Sequence, residues 1–335
     1  MGDILHALPA VTALRQAHPD WRIDWVVEPR WRALLAADGC QSAQTPAQPL
    51  VDHLLFAATK VWRKAPFSRQ TRLEFKALRT ALKGGEYDAV LDLQGAIRSS
   101  LLARLTGCKR IIGEAEPRER VARWLHSEHV STHTAHVIEQ DLELASAIAG
   151  DALQPVTPLM PIDPEAEAWT DEILPFTAKQ PAVLINPGAG WGAKRWPAER
   201  YAAVAQGLVE CGCRILVNAG PGEEPLAEVI VRGTSCAATA LNCSLAQLIA
   251  LTRRVRLAVA GDTGPLHLAC ALGVPVVGIF GPTDPSRNGP FGTRFTVLRS
   301  PQSRRDHTRY EAPEAGLLTI QSEDVLRAAT ALLYP

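Results

Sequence analysis

Gly261-Asp262-Thr263-Gly264-Pro265-Leu266-His267-Leu268 sits between an apolar strand-like run and an apolar helix-like run. Turn residues that follow a strand and open a helix leave backbone N–H groups without partners. Together with the positive helix end, those groups bind phosphate. Thr263 and Gly264 suit that role, because glycine lets the backbone approach a ligand closely. The competing reading is a plain helix cap by Asp262, with His267 a satisfied core side chain. A second loop of the same kind runs from Asn186 to Pro197, with three glycines ahead of Lys194-Arg195 and Pro197 at a first-turn position. It suggests a flexible segment that brings positive charge to a diphosphate. A solvated turn with two surface cations is the alternative. The loop lacks the G-K-S/T ending of a Walker loop, and no G-x-G-x-x-G follows a first strand, so a nicotinamide site has little support.

Three further groups could do chemistry. Glu223 or Glu224 follows another strand, where a carboxylate could accept hydrogen bonds from a ribose hydroxyl pair. Glutamates in a helix's first turn are also favoured by the dipole alone. Asp3 stands at a helix start and is the best candidate for a general base that takes a proton from an acceptor hydroxyl. An ordinary N-cap is the other reading of it. Lys60–Lys83 holds eight basic residues, Arg63, Lys64, Arg69 and Arg72 among them, against the single acid Glu74. Such a run is either a solvated face or a patch for an anionic acceptor carrying carboxylates or phosphates, which Arg98, Arg118, Arg120 and Arg123 could extend.

The composition excludes several classes. Lys+Arg and Asp+Glu are 35 each, so the chain has no global basic excess of the sort that nucleic-acid binding demands. No stretch approaches the roughly 18 apolar residues of a membrane span, and no basic-then-apolar leader is present. Seven scattered cysteines with no C-x-x-C pair argue against a zinc site or a disulfide framework, and for a reduced, cytosolic setting. D-x-D, H-E-x-x-H and paired His/Cys clusters are missing, so neither a metal nor another cofactor is expected. G-x-S-x-G is missing too.

The elements that must position these residues alternate throughout. At 335 residues the chain favours two domains. Strands are expected at Ile23–Val27, His53–Phe56, Ala89–Leu93 and Arg110–Ile112. Helices are expected from Asp3, from Ser68 to Lys83 and over Ala135–Ala149. The proline-rich stretch Asp151–Gln180 reads as the junction, with a short helix near Glu165–Leu174. Beyond it, strands at Ala182–Asn186, Arg214–Val217, Leu257–Ala260 and Val274–Phe280 alternate with helices over Pro197–Cys211, Glu223–Arg232, Leu245–Thr252, Pro265–Leu272 and Ser322–Leu333. That is the pattern of two doubly wound α/β domains with parallel sheets and ligands bound in the cleft at the carboxyl ends of the strands.

These segments together resemble glycosyltransferase family 9, the ADP-heptose:lipopolysaccharide heptosyltransferases. The resemblance is carried by Gly2-Asp3-Ile4-Leu5-His6-Ala7-Leu8-Pro9, Asp92-Leu93-Gln94-Gly95 with Arg98-Ser99, and His136-Val137-Ile138-Glu139. In the second half it is carried by Asn186–Pro197, Gly261–Leu268 and Gly281-Pro282-Thr283-Asp284-Pro285. The N-terminal motif looks more like heptosyltransferase I, which acts on inner-core Kdo, than heptosyltransferase II. The resemblance implies a GT-B fold of two Rossmann-like domains. Residues 1–160 would bind the acceptor, 161–180 link, 181–320 bind the nucleotide sugar, and 321–335 form a helix packing back toward the first domain. It implies inverting, metal-independent transfer of heptose from ADP-L-glycero-D-manno-heptose to the Kdo of the lipopolysaccharide inner core. Asp3 would be the catalytic base. Lys194, Glu223 or Glu224, Asp262, Thr263, Gly264 and His267 would hold the donor. The partners implied are ADP-heptose and Kdo-lipid A at the inner-membrane surface, with Arg63, Lys64, Arg69, Arg72, Arg98 and Arg120 on the acceptor side. The protein would be cytoplasmic or peripheral at that membrane's cytoplasmic face.

Two other readings compete: a different GT-B sugar-nucleotide transferase or epimerase, and a non-catalytic nucleotide-sugar-binding protein. One departure bears on both. A doubly wound domain opens with a strand, whereas this chain enters a helix at once. A start upstream of Met1 is therefore expected. A chain beginning at Met1 should be inactive or poorly folded, and an upstream extension should restore activity.

Overall fold

Parallel strands buried on both faces read as short continuous apolar runs, and helices cover them where the period changes to 3.6. The computed structural model, which describes residues 1–40, 42–175, 180–305 and 310–334, follows that rule in both halves. The first half runs α1 (Gly2–Ala17), β1 (Asp24–Val27), β2 (His53–Phe56), α2 (Thr59–Lys64), α3 (Arg69–Gly84), β3 (Val90–Asp92), α4 (Ile97–Leu105), β4 (Ile111–Glu114), β5 (Glu128–Val130) and α5 (Val137–Ala149). Its strands form two separate parallel sheets, β1-β2 and β3-β4-β5. Ser68 caps α3 by accepting from the Thr71 N–H, and Gly150 closes α5 in the left-handed region. Asp3 is not the cap of α1. The N–H groups of Ile4 and Leu5 both bond to the Met1 carbonyl, so the helix is under way before Asp3 and that residue lies in the first turn.

The second half runs α6 (Pro164–Ile173), β6 (Ala182–Asn186), α7 (Ala198–Glu210), β7 (Arg214–Asn218), α8 (Glu224–Gly233), β8 (Thr239–Leu241), α9 (Leu245–Arg254), β9 (Leu257–Gly261), α10 (Gly264–Ala271), β10 (Val276–Phe280), α11 (Pro285–Asn288), β11 (Phe295–Arg299) and α12 (Ser322–Leu333). Its six strands are all parallel, in the order β11-β10-β9-β6-β7-β8. Strand β6 has β7 on one side and β9 on the other, so the winding reverses between β6 and β9. In open α/β sheets the crevice at such a reversal, beyond the strand carboxyl ends, is where ligands bind. Val183, Ile185 and Val259 build the core under it with Trp196 and Tyr201, whose rings meet edge-on at 4.8 Å.

The chain divides into two compact units, His6–Ile162 and Met1–Leu5 with Asp163–Pro335. Part of the stretch expected as a linker is helix α6. Asp163 caps it, and it is tied to α9 by Arg253–Glu167 at 2.8 Å and by Arg254–Asp171. Residues 176–179 of that stretch, and Pro335 of the closing segment, lie outside the described residues. Helix α12 places Val325, Ala329 and Leu333 in the core of its own unit, against α7 and strands β9 to β11.

Candidate functional site

The loops leaving β6 and β9 converge on one ion cluster. Lys194 donates to Asp262 Oδ2, and His267 Nε2 to Asp262 Oδ1 at 3.2 Å. The Lys194 and Asp262 side chains are 14% and 7% exposed, so the pair is nearly dry. Burial disfavours ionisation of Asp262, but the His267 hydrogen bond and the Lys194 charge more than reverse this and hold the carboxyl well below the usual range. The Lys194 ammonium also stands 4.6 Å from the centroid of the Trp191 ring, a cation–π contact that fixes the other side of the side chain. The backbone is braced as well. The Ala193 N–H donates to Tyr310, and the Glu314 N–H donates to Ala193. Lysine has three N–H donors, so an ammonium held by one carboxylate still has donors to give to a phosphate. Beside it, Thr263 and Gly264 open α10, whose first N–H groups have no carbonyl within the helix.

The structure separates the two glutamates. A Cβ on Gly188 would lie 1.9 Å from Glu223 Oε2, and the Gly220 N–H donates to that same oxygen at 3.1 Å. Glu223 is thus lodged between the loops leaving β6 and β7, while Glu224 is exposed at the start of α8. Two buried polar residues at the strand ends escaped the sequence reading as individuals. Asn186 takes a bond from Asn218 at 3.0 Å on its amide oxygen while its own amide nitrogen has no protein acceptor. The Thr283 hydroxyl, after β10, likewise has no protein partner. Both stood inside quoted motifs, and only burial singles them out.

Asp3 is exposed, in the turn whose Met1 side chain packs on Gly264: a Cβ there would meet Met1 Sδ at 2.4 Å. The first turn of α1 therefore abuts the start of α10, within one unit.

The basic residues expected on the acceptor side all belong to the other unit and are exposed. Arg63 and Lys64 are on α2, Arg69 and Arg72 on α3, Arg98 on α4, and Arg120 in the short 3-10 helix Arg120–Leu125. Arg98 donates to Thr59 at 3.2 Å and to Gln94 at 3.4 Å. The loop ahead of Arg98 is held from below. Asp92 accepts from the Gln94 and Gly95 N–H groups through Oδ1, and from Ser99, Ser100 and His126 through Oδ2, at 2.7–3.1 Å. Burial opposes ionisation of Asp92 too, but the His126 and serine hydrogen bonds lower its carboxyl.

The model of the family described as glycosyltransferase family 9 (heptosyltransferase) matches residues 75–317. Lipopolysaccharide heptosyltransferase 1 of Escherichia coli K12 is 31% identical over 337 residues, covering 99% of this chain and 97% of that protein. The solved structure of E. coli heptosyltransferase WaaC with ADP superposes with a TM-score of 0.79 at 28% identity, over 99% of this chain and 97% of that one. A second, with ADP-2-deoxy-2-fluoro heptose, gives 0.75 at 29% identity, over 98% and 95%. The fold is accordingly GT-B, and by its motifs, its strand order and these likenesses the chain belongs to glycosyltransferase family 9.

Proposed function

We propose that the protein transfers heptose from ADP-L-glycero-D-manno-heptose to the Kdo of the lipopolysaccharide inner core, with inversion and without a metal ion. The observation that carries this reading is the buried Lys194–Asp262–His267 cluster at the β6/β9 reversal, in a chain similar over nearly its whole length to lipopolysaccharide heptosyltransferase 1. Asp3 accepts the proton of the acceptor hydroxyl, whose oxygen attacks the anomeric carbon from the face opposite ADP. The bond from that carbon to the diphosphate oxygen breaks. The negative charge gathering on the leaving ADP is met by the Lys194 ammonium and by the N–H groups of Thr263 and Gly264. Asp262, held by His267, keeps Lys194 in place, and Glu223 serves the ribose.

On the acceptor side, residues 1–160 present Arg63, Lys64, Arg69, Arg72, Arg98 and Arg120 to the anions of Kdo-lipid A. The reaction then belongs at the cytoplasmic face of the inner membrane. No described helix is long and apolar enough to cross a membrane.

Purified protein incubated with ADP-heptose and a Kdo acceptor should release ADP, and Asp3→Ala should nearly abolish transfer while donor binding, read by calorimetry, survives. Turnover of Asp3→Ala at the parent's rate would remove Asp3 from the mechanism. A preference for a uridine diphosphate sugar would overturn the donor assignment.

A further inference from the structure

Helices α2 and α3 are attached by very little. Within α2 no residue is buried, and within α3 only Thr71, Leu78 and Leu82 are. Leu78 and Leu82 join Ala57 in a small core onto which Trp62 of α2 and Leu102 and Leu105 of α4 pack. The outer face of α3 is cationic. Arg69, Arg72, Lys76, Arg79 and Lys83 follow the alternating three- and four-residue spacing that keeps one helix face, within an arc of about 80° and about 120° round from the buried line. The sole acid, Glu74, is turned away to Trp62 and Gln70, at 2.7 and 2.6 Å. Large apolar side chains of the same unit stand in water. Phe67, between α2 and α3, is 82% exposed, and Leu73 is 53% exposed. Trp124, in the turn packed on α4, is 82% exposed. The Phe67 carbonyl is pinned by two bonds from Arg72, so the ring is presented by a braced turn.

We infer that this face of the unit His6–Ile162 docks on an anionic phospholipid bilayer. A helix with a cationic polar face and aromatic or leucine residues at its border lies in the plane of a membrane interface. Its apolar groups enter the headgroup boundary and its Lys and Arg pair with anionic lipid. Aromatic side chains with 82% of their surface in water find a partner there. A nucleic acid fits less well: the chain as a whole carries no net charge, and the cations line a convex helix rather than a groove. The inference rests on the reading above in that a lipid-borne acceptor gives the docking its purpose. It differs in naming the bilayer's own headgroups as the partner, with Lys76, Arg79, Lys83, Phe67 and Trp124 outside the acceptor set.

The full chain is to be sedimented with vesicles of equal parts phosphatidylglycerol and phosphatidylcholine, and with phosphatidylcholine alone. Binding should require the anionic lipid and fall with salt. Lys76→Ser/Arg79→Ser/Lys83→Ser and Phe67→Ala/Trp124→Ala should each cut vesicle partition by about tenfold or more. Both should keep the parent's melting temperature and its turnover of a Kdo acceptor stripped of its acyl chains. Equal binding to neutral vesicles, parental partition by both folded variants, or tighter binding to single-stranded DNA would each overturn the inference. Loss of turnover with vesicle binding intact would instead strike the functional reading.

Discussion

Lys194 and Asp262, 68 positions apart in the sequence, form a nearly dry ion pair whose carboxylate is shared with His267 and whose ammonium faces the Trp191 ring. Removing one partner of a buried pair strands the other. Lys194→Met should therefore cost about 3 kcal/mol, at the low end of the usual range because His267 stays bonded to Asp262. Transfer should fall by about a hundredfold in kcat/KM, the scale of losing one positioned charge donor. The double variant Lys194→Met/Asp262→Asn separates these effects: urea unfolding should recover much of the lost stability, and turnover should not recover. Parental kinetics in Lys194→Met would place the diphosphate elsewhere.

The same pair makes stability depend on acid in a defined direction. Burial acts to raise the Asp262 carboxyl, and His267 and Lys194 together bring it below its unfolded value. Below about pH 4 the unfolded chain binds a proton that the folded chain refuses, so stability falls as pH falls. Above that window the contribution is whole. Urea unfolding should show a constant gap between the parent and Asp262→Asn from about pH 8 to about pH 5, closing steadily below about pH 4. A gap that widens in acid would mean the carboxyl is raised on folding.

Legibility in the sequence tracked how local the determining physics is. Strands β2 and β6 and helix α12 run over the residues expected, because apolar runs bounded by proline, glycine or polar caps are local signals. Helices α2 and α4 were not read. The first buries nothing, and the second sets Ile97, Leu101, Leu102 and Leu105 within an arc of about 140° that Arg98 interrupts, while it buries Ser100 and Ala103 on the opposite side. The exposed, three-residue β5 and β8 were missed for the same want of pattern. Both phosphate-type loops could be named from glycine, proline and charge, but their meeting depends on β6 lying beside β9, which no local stretch encodes. The proposed choice between Glu223 and Glu224 likewise rests on the space over Gly188, which no local stretch encodes.

That choice can be tested. Glu223 Oε2 accepts from the Gly220 N–H and fills the space that Gly188 leaves open. A hydrogen bond from a ribose hydroxyl to a charged acceptor is worth about 1.5–3 kcal/mol, so Glu223→Gln should raise the donor KM about tenfold or more with kcat little changed. The exposed Glu224, changed to Gln, should leave both constants alone. The reverse pattern would hand the ribose to Glu224.

Gly113 makes room for a buried imidazole: a Cβ there would meet the His126 ring at 2.2 Å. His126 has no slack, since its Nε2 bonds to Asp92 and Ser100 at 3.1 Å and its side chain is 0% exposed. Gly113→Ala should therefore destabilise the protein by about 2 kcal/mol through overpacking. The disturbance reaches Asp92, which orders the Gln94–Gly95 turn ahead of Arg98, so the acceptor KM should rise more than the donor KM. An unchanged melting temperature would show that the ring moves freely.

The acceptor side is tested by changing Arg63, Lys64, Arg69 and Arg72 to Ser together. All four are exposed, and none makes an ion pair among the described residues, so folding should be little affected. If these cations meet the anions of the acceptor, its KM should rise while ADP-heptose affinity, read by calorimetry, stays put. Each lost charge-assisted contact near the surface is worth about 1 kcal/mol, so a rise of about tenfold or more is expected. The acceptor used must be stripped of its acyl chains, because a lipid-borne one would mix acceptor recognition with bilayer docking by the same helix. Unmoved acceptor kinetics on that soluble substrate would leave these four residues to the membrane surface, and the recognition of Kdo to Arg98 and Arg120.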